Sequence, residues 1–480
     1  MIKKHQEMDI EITKIAFPNA GIGQYEGKQV TVKNTLPGQL VRVRICKFKN
    51  GVHGRLLEIL RRSPLEVAPD CKRSEVCGGC SYQTIKYADE LMYKRNIVLE
   101  LLEQNGITGF TFEGIEPAPS PARYRNKMEY TFGDEQKGGA LSLGMRKRNS
   151  FYEVVNVSAC CLVHDDFGKI LQATQDYFRR TGEAFYHRAS HEGSLRNLVV
   201  RKGYFTDEIL VNLVTASTIT DDLTGYIRVL LSLTLEGSIA GIVHTTNDAL
   251  SDAVKVDHMR LLYGRDYFME KLFGLDFKIS PFSFFQTNSQ GAERLYATAR
   301  EFAGDTSEKT VFDLYCGTGT IAQVMSEGAK HVIGIELVPE AVEAAIENTK
   351  LNNIQNCEFI TGDVLHIVDT LTEKPDIIIL DPPREGVHPK AMPKIIHFGA
   401  ETIVYISCKP TSLVNDLKTL LAHGYQIEKV RCHDMFPRTG HVETVVLLSR
   451  KKPDSHINVK VEFGEGERKT PINKIEEKVK

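Results

Sequence analysis

The chain has 480 residues, of which 42% are hydrophobic and 25% charged. These values exclude wholesale disorder, and the length predicts roughly two to four domains. The formal net charge of −2 excludes a uniformly basic protein, yet residues 1–62 hold 12 Lys and Arg against 5 Asp and Glu. This basic end predicts a polyanionic partner.

The sequence has no feature of a membrane or secreted protein. No apolar run approaches the roughly 20 residues that a membrane helix needs. The start, MIKKHQEMDIEITK, is charged and lacks the apolar core of a secretory signal. A cytoplasmic protein is therefore expected. Its ten cysteines are then expected to be reduced, metal-bound or catalytic rather than paired in disulfides.

Short strands broken by Gly and Pro fill the first part of the chain. DIEITKIAF, KQVTVKNT and LVRVRICKF each alternate apolar with polar residues, as strands with one buried face do. They predict a small β-barrel of the oligonucleotide-binding kind over residues 1–64. Cations crowd the third of these strands, and the one-sided charge favours an RNA contact over a merely solvated face. They are Arg42, Arg44, Lys47 and Lys49.

Three cysteines follow the barrel with C-x5-C-x2-C spacing, at Cys71, Cys77 and Cys80. A metal centre with these ligands needs a fourth, for which the adjacent Cys160 and Cys161 are candidates. The spacing alone leaves structural zinc and an iron–sulfur cluster equally open. A helical pattern then runs from about residue 85 to residue 104.

The middle and the end of the chain have different patterns. Many alternating strands with few long helices predict an antiparallel α+β domain over residues 65–300. From about Lys309, apolar strands alternate with helical segments such as PEAVEAAIENTKLNN. This alternation predicts a doubly wound parallel sheet over residues 301–450. Residues 451–480 form a charged tail.

A glycine-rich turn follows the first strand of the predicted parallel sheet. DLYCGTGT (residues 313–320) opens a helix, and it fits neither the P-loop nor the full dinucleotide pattern. Glu336 lies about 20 residues further on, where an acidic side chain can accept hydrogen bonds from a ribose. Asp363 and Asp381 follow the next two strands. Because ligands bind at the carboxyl ends of such strands, these residues predict a ribose-bearing ligand.

DLYCGTGT and IGIEL resemble the S-adenosylmethionine-dependent methyltransferase fold. Three motifs lie downstream: LDPPREG (380–386), YISCKP (405–410) and FPRTGHVE (436–443). Alone, Cys408 would more often be a buried structural cysteine and Glu443 a surface charge. Together with the barrel, the cysteine cluster, YRNKMEYTFG and SPFSFFQTN, these motifs resemble the RNA (uracil-C5)-methyltransferase family, whose barrel is the RNA-binding TRAM type.

The resemblance implies roles for individual residues. Cys408 is the expected nucleophile and Glu443 the expected base, while Asp381 and Arg384 are expected to help position the uracil and the cofactor. The residues expected to contact S-adenosylmethionine are Gln286, Tyr315, Gly317, Glu336, Asp363 and Asp381. The aromatic residues that are either core residues or stacking partners for RNA bases are Phe282, Phe284 and Phe285.

The resemblance also favours a [4Fe–4S] cluster over zinc. Its expected ligands are Cys71, Cys77, Cys80 and Cys160, because the fourth ligand in the family is often followed by x-Leu, as in Cys160-Cys-Leu162. Cys161 is the alternative fourth ligand. The remaining cysteines are expected to serve packing, apart from the proposed nucleophile. They are Cys46, Cys316, Cys357 and Cys432.

The expected protein is an α/β enzyme with an OB-like TRAM barrel, a central α+β iron–sulfur domain and a Rossmann-like methyltransferase domain. Its expected activity is methylation of uridine at C5 in 23S ribosomal RNA, as a monomer. The alternatives are methylation of a transfer RNA loop at uracil-54 and a noncatalytic RNA-binding or assembly protein. A radical iron–sulfur enzyme is disfavoured because it needs C-x3-C-x2-C spacing.

Overall fold

The computed structural model describes residues 2–47, 51–250, 256–367 and 369–451. Lys49, the side chain of Lys47 and all of the predicted tail except Lys451 lie outside the described residues. Among the described helices, none is both long and apolar enough to span a membrane.

A barrel of five strands opens the chain: β1 (Glu7–Ala16), β2 (Ala20–Tyr25), β3 (Lys28–Lys33), β4 (Leu40–Lys47) and β5 (Val52–Arg61). It closes in the order β1-β2-β3-β5-β4, around inward-facing residues such as Ile12 and Val43. The barrel prediction is confirmed. The basic strand is the fourth rather than the third, because the segment around Gly21 and Gly23 forms a strand instead of a turn.

The described residues of the central part form three helices and ten strands. They are α1 (Tyr87–Gln104), β6 (Thr111–Glu116), β7 (Lys127–Asp134), β8 (Leu141–Arg146), β9 (Val154–Val155), α2 (Asp165–Thr181), β10 (Leu195–Lys202), β11 (Glu208–Thr215), α3 (Thr224–Leu231), β12 (Ser238–Thr246), β13 (His258–Gly264), β14 (Phe268–Leu272) and β15 (Leu275–Ile279). Seven strands form a sheet in the order β13-β12-β11-β10-β7-β8-β9, antiparallel except between β11 and β12. Phe167, Phe178 and Tyr226 of α2 and α3 join its core.

The last part alternates strands with helices, as predicted. Its elements are α4 (Ser289–Ala303), β16 (Thr310–Leu314), α5 (Thr320–Ser326), β17 (His331–Glu336), α6 (Pro339–Leu351), β18 (Cys357–Thr361), α7 (Val364–Ile367), β19 (Ile377–Leu380), α8 (Met392–His397), β20 (Thr402–Ser407), α9 (Pro410–Ala422), β21 (Tyr425–His433) and β22 (Glu443–Arg450). The sheet order is β18-β17-β16-β19-β20-β22-β21-β6. From β16 the chain adds strands first on one side and then, starting with β19, on the other. A ligand crevice is expected at this switch point between β16 and β19.

The division between the two larger sheets does not coincide with the domain boundary predicted at residue 300. The strand β6 lies within the range predicted for the central domain, yet it pairs with β21 at the edge of the parallel sheet. Val98 and Leu102 of α1 belong to the same apolar core as Leu417 of α9. A boundary at residue 300 therefore does not separate the two sheets, because residues before it complete the second one.

Candidate active site at the carboxyl edge of the parallel sheet

The glycine loop between β16 and α5 packs tightly against the sheet. Tyr315, Gly317 and Gly319 have φ angles of 68°, 55° and 71°, in the left-handed region. A Cβ atom on Gly319 would lie 2.5 Å from the Phe359 ring of β18, so the turn requires glycine there. This close approach sets the position of the loop backbone at the crevice.

Four predicted cofactor residues meet beside this loop. Glu336, at the end of β17, accepts hydrogen bonds from the N–H groups of Gly317 (3.0 Å) and Val338 (2.9 Å). Burial and the nearby Asp363 carboxylate raise the pKa of Tyr315 to about 12. Tyr315, Gly317, Glu336 and Asp363 thus lie at the carboxyl ends of β16, β17 and β18, where a ribose-bearing ligand is expected.

The Tyr296 hydroxyl of α4 connects the glycine loop to the remaining cofactor residues. The side chains of Thr320 and Gln286 lie near enough to lower the pKa of this hydroxyl. The Asp381 carboxylate lies near enough to contribute, after burial, to a raised pKa of Tyr296. Gln286 and Asp381 are therefore in the same site as the glycine loop.

The crevice concentrates negative charge. Burial, with the carboxylates of Asp381 and Glu336, raises the pKa of Asp313 well above its usual range. Burial also raises the pKa of Asp381 to about 7. Carboxylates that destabilise one another in this way are relieved by a positive charge. The site is thus electrostatically suited to a cationic ligand.

Strand pairing holds Cys408 beside Glu443. Ser407, the last residue of β20, pairs with Thr444 of antiparallel β22, so the same register brings Cys408, which follows β20, opposite Glu443 at the start of β22. Burial and the Glu443 carboxylate raise the pKa of Cys408 to about 11, and Asp381 adds to this. Burial and Asp381 raise the pKa of Glu443 to about 8. These mutual effects place the thiol and both carboxylates in one cluster.

The Arg384 guanidinium opposes these shifts by lowering the pKa of both Cys408 and Glu443. Its main chain is anchored, because the Ser412 hydroxyl donates to the Arg384 carbonyl at 2.9 Å. The following turn is anchored through Asp416, which accepts from the Tyr405 hydroxyl (2.5 Å) and the Val387 N–H (2.9 Å). The LDPPREG loop therefore presents its cation to the thiol and carboxylate from a braced backbone.

The predicted cluster ligands also converge. The Gln83 side-chain N–H groups lie 3.5 Å from the sulfur atoms of both Cys80 and Cys161. Burial and the neighbouring thiols raise the pKa of Cys80 to about 12. The cysteines brought together before α1 and α2 are Cys71, Cys77, Cys80, Cys160 and Cys161.

The fit of a metal centre to these cysteines depends on its size. In the described ranges, no three His, Cys, Asp or Glu side chains are close enough to hold a single metal ion. The ligands of a multinuclear cluster stand further apart, because the cluster lies between them. The Gly79 N–H lies 3.4 Å from the Cys77 sulfur, and N–H groups near sulfur suit an iron–sulfur cluster.

The aromatic run divides between the two roles expected of it. Phe285 is 5% exposed and packs against Phe277 in the core, whereas Phe284 is 64% exposed beside Gly317 and is open to stacking. Cys46 is exposed rather than a packing residue, because its side chain points away from the barrel core.

Two cations of β4, Arg42 and Arg44, are paired with carboxylates. Arg42 donates to Asp9 at 2.9 and 3.1 Å, and Arg44 donates to Glu7 at 3.0 and 2.6 Å. These pairs neutralise the charge that was expected to contact RNA. The acidic partners lie on β1, more than 30 residues away in sequence, and the alternation of β4 gave no sign of them.

Residues of the site that sequence reasoning missed are Tyr296 and Thr320. Tyr296 lies in an ordinary amphipathic helix, and no spacing signal distinguishes it from a core tyrosine. Thr320 ends the DLYCGTGT motif, so its position one residue after the second glycine was an available signal.

Sequence comparison identifies the class of protein. A protein of Clostridium tetani described as an uncharacterized RNA methyltransferase is 50% identical over 94% of this chain and 99% of its own length. Another with that description, from Clostridium acetobutylicum, is 51% identical over 94% and 99%. The chain therefore belongs to the RNA methyltransferases.

Profiles of known families specify the group within that class. The tRNA (Uracil-5-)-methyltransferase family matches residues 254–451, and the TRAM domain matches residues 3–54. The crystal structure of Pyrococcus abyssi tRNA (uracil-54, C5)-methyltransferase with S-adenosyl-L-homocysteine superposes with a TM-score of 0.73 and 26% identity. It covers 92% of this chain and 100% of that one. This protein is a member of the RNA (uracil-5) methyltransferase family.

Proposed function

We propose that the protein uses S-adenosylmethionine to form 5-methyluridine in 23S ribosomal RNA, through a covalent adduct of Cys408 with uracil C6. The observation that carries the proposal is the pairing of β20 with β22, which sets Cys408 against Glu443 at the ligand edge of the sheet. A nucleophile beside a base supports a catalyst rather than a scaffold that only binds RNA.

Cys408 would solve the problem that C5 of uracil is too weak a nucleophile to accept a methyl group directly. The thiolate adds to C6, and the electron pair of the C5–C6 double bond moves to form an enolate. C5 then takes the methyl group from the sulfonium, releasing S-adenosylhomocysteine. Covalent catalysis of this kind replaces one difficult step by several easier ones.

Glu443 would complete the reaction by removing the proton from C5. The released electron pair restores the C5–C6 double bond and expels the Cys408 thiolate. Ionised Glu443 is required, and the raised pKa of this carboxyl makes it a strong enough base for the task. The sulfonium charge and Arg384 would favour the ionised forms of Glu443 and Cys408.

The cofactor would lie along the glycine loop. Glu336 is placed to accept hydrogen bonds from ribose hydroxyls, while Asp381 faces the thiol and is placed for the cationic end of the cofactor. Methyl donor and nucleophile would thus meet at Asp381. The proposed contacts with S-adenosylmethionine are Gln286, Tyr315, Gly317, Glu336, Asp363 and Asp381.

The choice of RNA is supported by the sequence resemblance, in which barrel and cysteine cluster occur together. The second candidate is a transfer RNA loop, favoured by the Pyrococcus abyssi protein, whose description specifies uracil-54 of tRNA. Either substrate must present its uracil unstacked, because Cys408 has to reach C6 of the ring.

The test is methylation of total RNA from cells that lack this gene, with a labelled methyl group on the cofactor. Ribosomal and transfer RNA are separated, and nuclease fragments are analysed by mass spectrometry. Label as 5-methyluridine in a 23S fragment is the expected result. Label confined to tRNA would identify tRNA as the substrate instead of 23S ribosomal RNA. Bound cofactor without label in either RNA would favour the noncatalytic scaffold.

We also propose that the segment of residues 71–80, which we call the cysteine loop, helps to hold a [4Fe–4S] cluster. The converging thiols and the N–H groups near their sulfur atoms support it. Arg148 braces the same loop by donating to the carbonyls of Ser74, Cys77 and Cys80 at 3.1, 3.3 and 2.9 Å. When bound, the cluster would cross-link the loop before α1 to the turn before α2. The proposed ligands are Cys71, Cys77, Cys80 and Cys160.

Cys160→Ser is expected to lose most of its iron, whereas Cys161→Ser keeps it. A serine oxygen is a poor substitute for a thiolate ligand of iron–sulfur clusters. Iron and acid-labile sulfide per chain, measured on anaerobically purified protein, decide between the two. The reverse result would make Cys161 the fourth ligand, and full iron in both variants would contradict four-cysteine ligation.

We propose that RNA contacts the N-terminal part of the protein in a groove of about 970 Å³ between the barrel and the cysteine loop. Lys33 and Arg55 line it with exposed side chains. Phe151, which is 78% exposed, lies at its edge and offers a ring face to a base. Cations beside an exposed aromatic ring suit single-stranded RNA better than the paired cations of β4 do.

Arg55→Ala is expected to weaken RNA binding and to reduce the salt slope of log K by about 1, because one phosphate contact is lost. The matched control is Asp9→Asn with Arg42→Gln, which removes an ion pair of the same barrel without changing the net charge. Affinity is measured by titration at several salt concentrations. If the control weakens RNA binding more than Arg55→Ala does, the RNA contact lies on β4 instead.

A further inference from the structure

The loop between β21 and β22 carries the FPRTGHVE motif to Glu443, and its main chain is held at four successive carbonyl oxygens. Each receives hydrogen bonds from a different part of the chain. We call this set the four-carbonyl clamp. Its bonds run from Asn288 Nδ2 to Met435 O (2.8 Å), Lys94 Nζ to Phe436 O (3.3 Å), Tyr124 Oη to Pro437 O (3.0 Å), and Ser81 N and Tyr82 N to Arg438 O (2.7 and 3.1 Å).

Arg438 makes more of these connections than its carbonyl alone. It has a φ angle of 67°, in a region that a non-glycine residue occupies only when its surroundings hold it there. Its N–H donates to Glu90 at 2.7 Å, and its guanidinium donates to the carbonyls of Ile85 and Tyr82 at 2.9 and 3.3 Å. The residue therefore joins the loop of the base to the segment after Cys80.

A buried set of charges lies beneath this junction. Lys94 of α1 binds Glu90 at 2.7 Å and Asp434 at 2.6 Å, and all three side chains are at most 1% exposed. Burial raises the pKa of Glu90 to about 7, with Lys94 opposing and Asp434 reinforcing the shift. Buried ion sets add little stability but define one geometry, because every partner must be in place. The start of the loop is thus set by α1.

We propose that Arg438 is a positioning residue, which fixes Glu443 relative to the uracil by tying the loop of the base to the cysteine loop. Glu443 follows five residues after Arg438, through a turn closed by the Thr439 hydroxyl on the Phe436 carbonyl at 2.7 Å. Cys408 directly follows β20, and it is not one of the partners of the clamp given above. This inference rests on the proposed function, because it assigns Glu443 the last proton transfer.

The test compares Arg438→Gly with the wild type. Glycine accepts the positive φ and keeps the main-chain bonds, so only the guanidinium is lost. A base misplaced by about 1 Å slows proton removal on the order of 10²-fold while adduct formation continues. We expect a lower kcat, an unchanged KM for RNA and a larger fraction of enzyme covalently bound to RNA at steady state. Arg438→Lys should recover part of the loss.

A control variant separates positioning from general damage. Arg431→Gln removes the ion pairs that this residue of β21 makes with Glu113 of β6 and Glu301 of α4, and neither carboxylate is a partner of the clamp. It should change neither the adduct fraction nor kcat. Tyr124→Phe removes a single donor of the clamp and should shift the adduct fraction in the same direction as Arg438→Gly, less strongly.

Three outcomes would overturn the inference. Turnover and adduct could fall in parallel in Arg438→Gly, both clamp variants could behave like the wild type, or Arg431→Gln could raise the adduct as much. Wild-type turnover and adduct trapping by Glu443→Gln are measured beside them. Failure of those two reactions would count against the proposed function, whereas normal results there with no effect at Arg438 would count against the clamp alone.

Discussion

Cys408→Ala is expected to abolish methyl transfer while the protein still binds S-adenosylmethionine. Loss of the nucleophile in covalent catalysis costs on the order of 10⁶-fold in kcat. Binding should persist because the glycine loop and Glu336 belong to β16 and β17, two and three strands away from β20 in the sheet. Transfer of a labelled methyl group and equilibrium binding of the cofactor measure the two properties separately.

Cys357→Ala is the matched control for loss of a thiol. Cys357 lies at the start of β18, at the end of the strand opposite the carboxyl edge, so its replacement should leave turnover unchanged. Methyl transfer by Cys408→Ala at a rate near that of the wild type would reject the covalent mechanism. Loss of cofactor binding in the same variant would instead show that Cys408 supports the fold of the site.

Glu443→Gln is expected to accumulate a covalent complex between enzyme and methylated RNA. The amide has the shape of the carboxylate but cannot take the C5 proton, so the thiolate cannot leave. The complex should survive denaturing electrophoresis as a band that carries both protein and labelled methyl. Turnover should fall on the order of 10²- to 10⁴-fold, the usual contribution of a general base.

Two further variants define what this band means. Glu401→Gln replaces an exposed carboxylate at the opposite end of β20 and should form no such complex. Cys408→Ala combined with Glu443→Gln should also form none. A band in the double variant would place the covalent bond on another residue, and rapid turnover by Glu443→Gln would assign the proton to another base.

The raised pKa of Glu443 gives the wild type a characteristic pH dependence. Because the Cys408 thiolate and the Glu443 carboxylate must both be ionised, kcat/KM should rise more steeply below pH 8 than between about 8 and 11, where only Cys408 still titrates. In kcat the inflection should lie at lower pH, since the sulfonium favours ionisation in the complex. Adduct formation by Glu443→Gln should lack this inflection.

The same shift has a consequence for stability. The folded-state pKa of about 8 lies above the ordinary value of 4.5, so stability declines as the pH rises through that window. Above pH 8 the wild type carries a buried charge that Glu443→Gln lacks. The variant should therefore melt higher than the wild type at alkaline pH, and the difference should shrink toward pH 4.5.

Several parts of the site were predictable because they follow local rules. Asp381 and Cys408 directly follow apolar strands and Glu336 ends one, which reads directly as the carboxyl edge of a parallel sheet. Glycines at 317 and 319 marked a turn at the crevice where left-handed backbone is needed. The motif FPRTGHVE pointed to Glu443, but it gave no sign that Arg438 within it is held by the segment after Cys80 and by Glu90 of α1.

Other features depend on partners that are distant in the chain. Arg42 reads as a free cation until β1 places Asp9 beside it, and Phe284 and Phe285 are neighbours that only packing separates into exposed and buried rings. The strand β6 reads like its neighbours in the central region, although it completes the edge of the second sheet.

The order of strands along the chain, their apolar periodicity and the types of reactive side chain follow from the sequence alone, because neighbouring residues and side-chain chemistry specify them. Strand register and helix packing decide which distant residues meet. They bring Cys408 beside Glu443, α1 beside the loop that carries Glu443, and the cysteines before α1 beside those before α2. Those contacts join segments tens to hundreds of residues apart, and local periodicity does not encode which distant surface a given face will cover.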